Sequence, residues 1–143
     1  MIRTALIVSA ALALAGAANA APKFITGPGG GAIVPAGSAI FFVSGIPGAA
    51  AAGNTEAQTK DSLTKLEAVL KANGYSLADV VNAKVYLVAD PTTGKMDFAG
   101  MNNSFKTFFG TATEPNKPSR VTVQIAGLAG AGSLVEIELV AAK

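Results

Sequence analysis

Apolar residues recur along this chain in two distinct rhythms, and each rhythm marks a class of element. Leu63, Leu66 and Leu70 fall on one stripe at helical spacing with Val69 beside them, while Lys60, Lys65, Glu67 and Lys71 turn the other way. That arrangement predicts an amphipathic helix. Thr55-Glu56-Ala57-Gln58 reads as its capping box, with Thr55 as N-cap and Gln58 reaching back, and Asn73-Gly74 as its stop. Phe98, Met101, Phe105 and Phe108 form a second stripe, predicting a helix over residues 96–109 that ends at Gly110. Such a stripe is read as core rather than as a cofactor-binding surface.

Strict alternation marks the strands. Val81, Ala83, Val85 and Leu87 share one face of a run over residues 80–88. A second run opens at Arg120-Val121-Thr122-Val123-Gln124-Ile125. In a third, Val135, Ile137 and Leu139 face one way while Glu136 and Glu138 face the other. Two shorter apolar runs, residues 32–34 and 39–43, flank the turn signal Pro35-Ala36-Gly37-Ser38 and are read as a hairpin. The order is β-β-α-β-α-β-β, an α+β arrangement in which two helices cover one face of a largely antiparallel sheet. Those strands are too apolar for their other face to stand in water, so oligomerisation through it is the economical solution.

Composition narrows the chemistry. Residues 1–20 carry the marks of a cleaved export signal: Arg3, an apolar stretch over residues 5–16 broken by Ser9, and the small-residue pattern Ala18-Asn19-Ala20. The expected mature chain, residues 21–143, makes one domain, periplasmic or secreted, with no membrane span. Its charges nearly balance. The lysines are scattered and no aromatic residues are interleaved with them, which argues against a nucleic-acid surface. The chain has neither cysteine nor histidine, which excludes disulfides, thiol catalysis, Ser-His-Asp catalysis and typical zinc sites. The glycine run over residues 27–31 lacks the following Gly-Lys-Ser/Thr and the helix of a phosphate-binding loop, and no cofactor is expected.

Arg120 is the one arginine outside the export segment. Its planar, permanently charged fork suits bidentate capture of a carboxylate or phosphate, which no lysine reproduces. A surface arginine at a strand edge is the alternative. Glu136 likewise reads either as an acid near a reacting group or as an exposed strand residue.

Several segments taken together resemble the Rid/YjgF family of reactive-intermediate deaminases. They are Ser44-Gly45-Ile46-Pro47, the helix from Thr55, Asp97-Phe98-Ala99-Gly100-Met101-Asn102, Phe108-Phe109-Gly110, Lys117-Pro118-Ser119-Arg120 and Val135-Glu136-Ile137-Glu138. The resemblance implies a chorismate-mutase-like fold, a homotrimer whose sheets form a central barrel, and ligand sites in the clefts between subunits. It implies hydrolysis of enamines and imines of 2-amino acids to 2-keto acids and ammonia. Arg120 stands where the family holds the substrate carboxylate, and Glu136 where it orients or activates water. Ser44, Gly45 and Asn102 match pocket residues. Thr122 replaces a cysteine used in part through its backbone. The family commonly carries Gly-Pro-Tyr-Ser-Gln near its N-terminus, whereas this chain has Gly27-Pro28-Gly29-Gly30-Gly31 and so lacks the pocket tyrosine. A non-catalytic module binding small carboxylates, or a chaperone-like trimer, is the competing reading of the same fold.

Overall fold

A computed structural model describes residues 20–143; the export pattern of residues 1–19 lies outside the described residues. Six strands and two α-helices follow one another as β1 (Lys23–Ile25), β2 (Gly31–Ile33), β3 (Ile40–Pro47), α1 (Thr55–Ala72), β4 (Val80–Val88), α2 (Phe98–Phe108), β5 (Ser119–Ile125) and β6 (Val135–Ala142). The main sheet has the order β3-β6-β4-β5. Its β3–β6 and β6–β4 pairs are antiparallel, and its β4–β5 pair is parallel. A parallel neighbour needs a long crossover, and α2 lies in that connection. The order matches the expected α+β arrangement with one strand added at the start.

That added strand changes the N-terminal pairing. The run at residues 32–34 does not form a hairpin with the run at 39–43: β2 pairs with β1, Phe24 opposite Ala32, in a separate two-stranded ribbon. Pro35 and Gly37 (φ 85°) let the chain turn away from the ribbon before β3 begins. β1 was not legible in the sequence because three residues carry almost no periodic signal.

The helices pack on one face of the main sheet, and the core lies between. Leu63, Leu66 and Leu70 of α1 and Met101 of α2 are fully buried against Ala83, Val85 and Leu87 of β4 and Val135, Ile137 and Leu139 of β6. The β6 alternation was read correctly; on β4 it holds from Ala83 to Leu87, whereas a register shift between Val80 and Asn82 puts Val80 rather than Val81 in the core cluster. The α1 cap differs by one residue: Asn54, not Thr55, caps the helix, accepting from the Ala57 N–H at 3.0 Å. The C-terminus closes as expected with Gly74 at φ 77°, Tyr75 N–H bonding Leu70 O and Gly74 N–H bonding Lys71 O.

Gln58 is free for a different task. Its buried amide donates to Gly53 O (2.9 Å) and Gly132 O (3.1 Å) and accepts from Leu134 N–H (2.8 Å). This clamp ties the start of α1 to the loop before β6. Ser133 Oγ donates to Gly48 O at 2.9 Å, extending the clamp to the end of β3. A side chain at Gly48 would collide with the Gln58 backbone, so the close approach needs glycine there.

The opposite sheet face carries no helix. Ile40 (51%), Phe42 (75%), Val121 (48%) and Val123 (39%) are exposed on it. Lys84 and Tyr86 interrupt this apolar surface, both reaching Glu138, at 3.1 and 3.4 Å.

Candidate functional site

Arg120, the second residue of β5, lies opposite Ala83, so its side chain is on the helix-covered face of the sheet. There it meets α2. Asp97 caps that helix by accepting from Gly100 N–H at 2.8 Å, which sets the first turn and with it the direction of the next residues. Asn102 Oδ1 then accepts from Arg120 Nη2 at 3.1 Å, and Met101 Sδ lies 4.0 Å from Nη1. The guanidinium sits 4.4 Å from the centre of the Phe105 ring and 5.8 Å from that of Phe98. Partial burial pushes the Arg120 pKa down through lost hydration, yet an arginine stays charged at neutral pH. Most of its five donors have no protein oxygen to bond among the described residues, which leaves a rigid, aromatic-backed fork.

The fork borders a cavity of about 380 Å³ lined by Asn102, Phe105, Lys106, Phe109, Lys117 and Arg120 with Pro118. A second cavity of about 210 Å³ lies on its other side, against the turn of the β1–β2 ribbon at Thr26, Gly27 and Gly30. Within that turn Gly29 holds φ 72° and Gly27 φ 103°. A tyrosine at residue 29 would therefore enter the left-handed region at a cost of roughly 1–2 kcal/mol. The missing ring is thus a property of the turn's backbone as well as of its sequence.

Glu136 occupies a different place. It lies on β6 opposite Tyr86, on the helix-free face. Val43 pairs with Leu139 and Ile46 with Ile137, so Ser44 and Gly45 together face the single residue Glu138. This is a β-bulge, a device that bends a strand and re-aims its side chains. Gly45 lies directly against the Glu136 side chain, and a methyl group there would collide with the carboxylate. Glu136 makes no hydrogen bond or ion pair among the described residues, whereas Glu138 is engaged by Lys84 and Tyr86. Of the two β6 acids, Glu136 is the uncommitted one.

The six expected site residues therefore separate into two groups. Arg120, Asn102 and Thr122 lie toward α2; Ser44, Gly45 and Glu136 gather at the bulge on the other face. Thr122 contributes little through its side chain, because its Oγ1 is shut away from solvent with no polar partner. Phe98 departs from its expected core role: it is 44% exposed and sits over Arg120, while Phe109 takes the buried position instead. Sequence reasoning missed Lys106 and Lys117 as cavity residues. Lys106 follows Phe105 on α2, but Lys117 arrives from a loop, and only the fold brings the two together.

The comparisons agree in one direction. The sequence profile of the family described as endoribonuclease L-PSP matches residues 33–143. A RutC family protein of Pyrococcus horikoshii is 38% identical over 128 residues, covering 86% of this chain and 92% of that protein. A 2-iminobutanoate/2-iminopropanoate deaminase of Rattus norvegicus is 36% identical over 89 residues, 62% of this chain and 58% of its own length. Among solved structures, a member of the YjgF/YER057c/UK114 family from Mycobacterium tuberculosis superposes with a TM-score of 0.59 at 29% identity, over 71% of this chain and 77% of that one.

Proposed function

The chain belongs to the endoribonuclease L-PSP family, and from that premise we propose that it hydrolyses enamines and imines derived from 2-amino acids to 2-keto acids and ammonia. The site forms where the Arg120 side of one chain meets the Glu136 side of a neighbour in a homotrimer. One observation carries this reading: the guanidinium and the uncommitted carboxylate lie on opposite faces of one sheet, so a single chain does not present both to one ligand. The exposed apolar face bearing Phe42, Val121 and Val123 supports association of sheets. An exported location, periplasmic or secreted, belongs to the same proposal and rests on the pattern of residues 1–20.

Each residue then has a distinct task. Arg120 takes the substrate carboxylate bidentately, with Asn102 and the Phe98 and Phe105 rings fixing the plane of its fork. Ser44 and Gly45 line the opposing wall and leave the Glu136 carboxylate open. An enamine first gains a proton at its β-carbon and loses one from nitrogen, becoming the imine; water oxygen then bonds to the imine carbon, the C=N π pair goes to nitrogen, and one water proton passes to Glu136. Nitrogen takes up the proton held by Glu136 and then the adduct's hydroxyl proton as that oxygen forms C=O, the C–N bond breaks, and ammonia leaves. General-base assistance of this kind contributes about 10²–10⁴-fold.

A second reading, capture of small carboxylates without turnover, is favoured by the glycine turn, which leaves the ribbon side of Arg120 without a tyrosine. Turnover of 2-aminoacrylate and 2-iminobutanoate generated in situ separates the two. Hydrolysis by the purified protein, with Glu136→Gln lowering kcat more than it raises KM, is the expected result. If Glu136→Gln leaves the rate untouched while Arg120→Ala abolishes binding, the binding reading replaces the catalytic one.

A further inference from the structure

The 380 Å³ cavity beside Arg120 holds three cations, Lys106, Lys117 and Arg120, and no acid among its lining residues. A keto or imino acid of three or four carbons uses one of those charges and fills only part of the space. Building on the carboxylate role of Arg120, we infer that the preferred substrates carry a second carboxylate at the end of their side chain, held by Lys106 and Lys117.

The two lysines are presented to the cavity by different devices. Lys117 sits on the loop between α2 and β5, which is pinned by Gly110 N–H to Asn116 O (3.2 Å) and Thr111 N–H to Glu114 O (2.8 Å). Its methylene stem lies over Gly110, where a methyl group would strike it, and Gly110 holds φ 75°. The stem is thus laid down on a surface made bare for it while the ammonium stays at the rim. Lys106 stands on α2 with its ammonium donating to Asn103 Oδ1 at 3.1 Å, and Asn103 in turn donates to Glu56 Oε2 at 3.3 Å, so the nearest carboxylate is reached only through the amide. Neither lysine forms an ion pair among the described residues.

The rings of Phe105 and Phe109, 4.9 Å apart, line the same cavity. The cavity therefore combines three cations with aromatic walls. A ligand charged at both ends with a short methylene spacer matches that composition. A monocarboxylate with an apolar side chain leaves the two ammonium groups without a partner.

Calorimetric titration with stable keto acids tests this through charge alone. 2-Oxoglutarate and its 5-methyl ester, neutral at the side-chain end, are close in size, and 2-oxobutanoate reports on Arg120 by itself. The wild-type protein is expected to bind 2-oxoglutarate about 10-fold more tightly than the ester at low salt, equivalent to about 1.4 kcal/mol. The preference should shrink at high ionic strength. In the double variant Lys106→Gln, Lys117→Met, which keeps the packed stem at residue 117, the ratio should fall to within about 2-fold, with thermal unfolding showing that the variant is folded. Equal wild-type affinities for diacid and ester, or a preference that survives in the folded double variant, overturns the inference while 2-oxobutanoate binding upholds the role of Arg120. Failure of all three ligands to bind overturns both.

Discussion

Replacing Arg120 with lysine keeps the charge and removes the geometry, so it isolates what the planar fork contributes. In the structure the guanidinium is held by Asn102 Oδ1 at 3.1 Å and lies over Phe105 at 4.4 Å. A lysine in its place offers one point charge, keeps at most one strong contact to a ligand carboxylate, and stacks poorly. The lost second charge-assisted hydrogen bond is worth about 1.5–3 kcal/mol. The weakened contact with Phe105, which now has to be desolvated around an ammonium, adds about 0.5–1 kcal/mol. Together these reach about 2–4 kcal/mol, an affinity loss of roughly 30- to 1000-fold. Isothermal titration with 2-oxobutanoate measures it directly, and a melting curve checks that the variant is folded. A folded Arg120→Lys protein binding within about 3-fold of wild type would refute bidentate capture, because a charge alone would then suffice.

Two further outcomes follow from the framework around the site. Gln58→Leu leaves Gly53 O, Gly132 O and Leu134 N–H without their buried partner; at about 1 kcal/mol or more for each orphaned group, calorimetry should record a melting point lower by on the order of 10 °C, and a shift below about 2 °C would contradict the clamp. The Glu138 carboxylate raises the Lys84 pKa, chiefly through their hydrogen bond and then through charge attraction. Stability from this pair is therefore complete below the unfolded lysine value of about 10.4 and is lost as pH rises through the higher folded value. Melting curves across that alkaline window should steepen their decline in wild type relative to Lys84→Met, and parallel curves would remove Lys84 as the cause.

The sequence carried the long elements and half of the chemistry, for physical reasons visible in particular residues. Leu63, Leu66 and Leu70, and Val135, Ile137 and Leu139, were legible because burial repeats at the period of the backbone that carries them. Arg120 was legible as a residue type. Its surroundings were not, since Asn102, Phe98 and Phe105 approach it across the gap between α2 and β5. The stripe that suggested a uniform core hid a division of labour: Met101 and Phe105 are buried, whereas Phe98 rides over the arginine. The α1 cap moved from Thr55 to Asn54 because Gln58, expected to reach back to the cap, is taken by the loop before β6. No local pattern encodes that long-range clamp. The bulge at Ser44 and Gly45 escaped as well, because an extra residue in a strand shows only against its partner.

Subunit mixing tests the division of the site between chains most directly. Arg120→Ala subunits keep an intact Glu136 side, and Glu136→Gln subunits keep an intact Arg120 side. Each variant alone has no complete site. In randomly mixed trimers at equal ratio, about a quarter of the contacts join the two intact sides under cyclic symmetry. Imine hydrolysis should therefore return to about a quarter of the wild-type rate after co-refolding. A mixture as inactive as its two parents, with mixed trimers verified by native mass spectrometry, would mean that Arg120 and Glu136 do not meet across a subunit boundary.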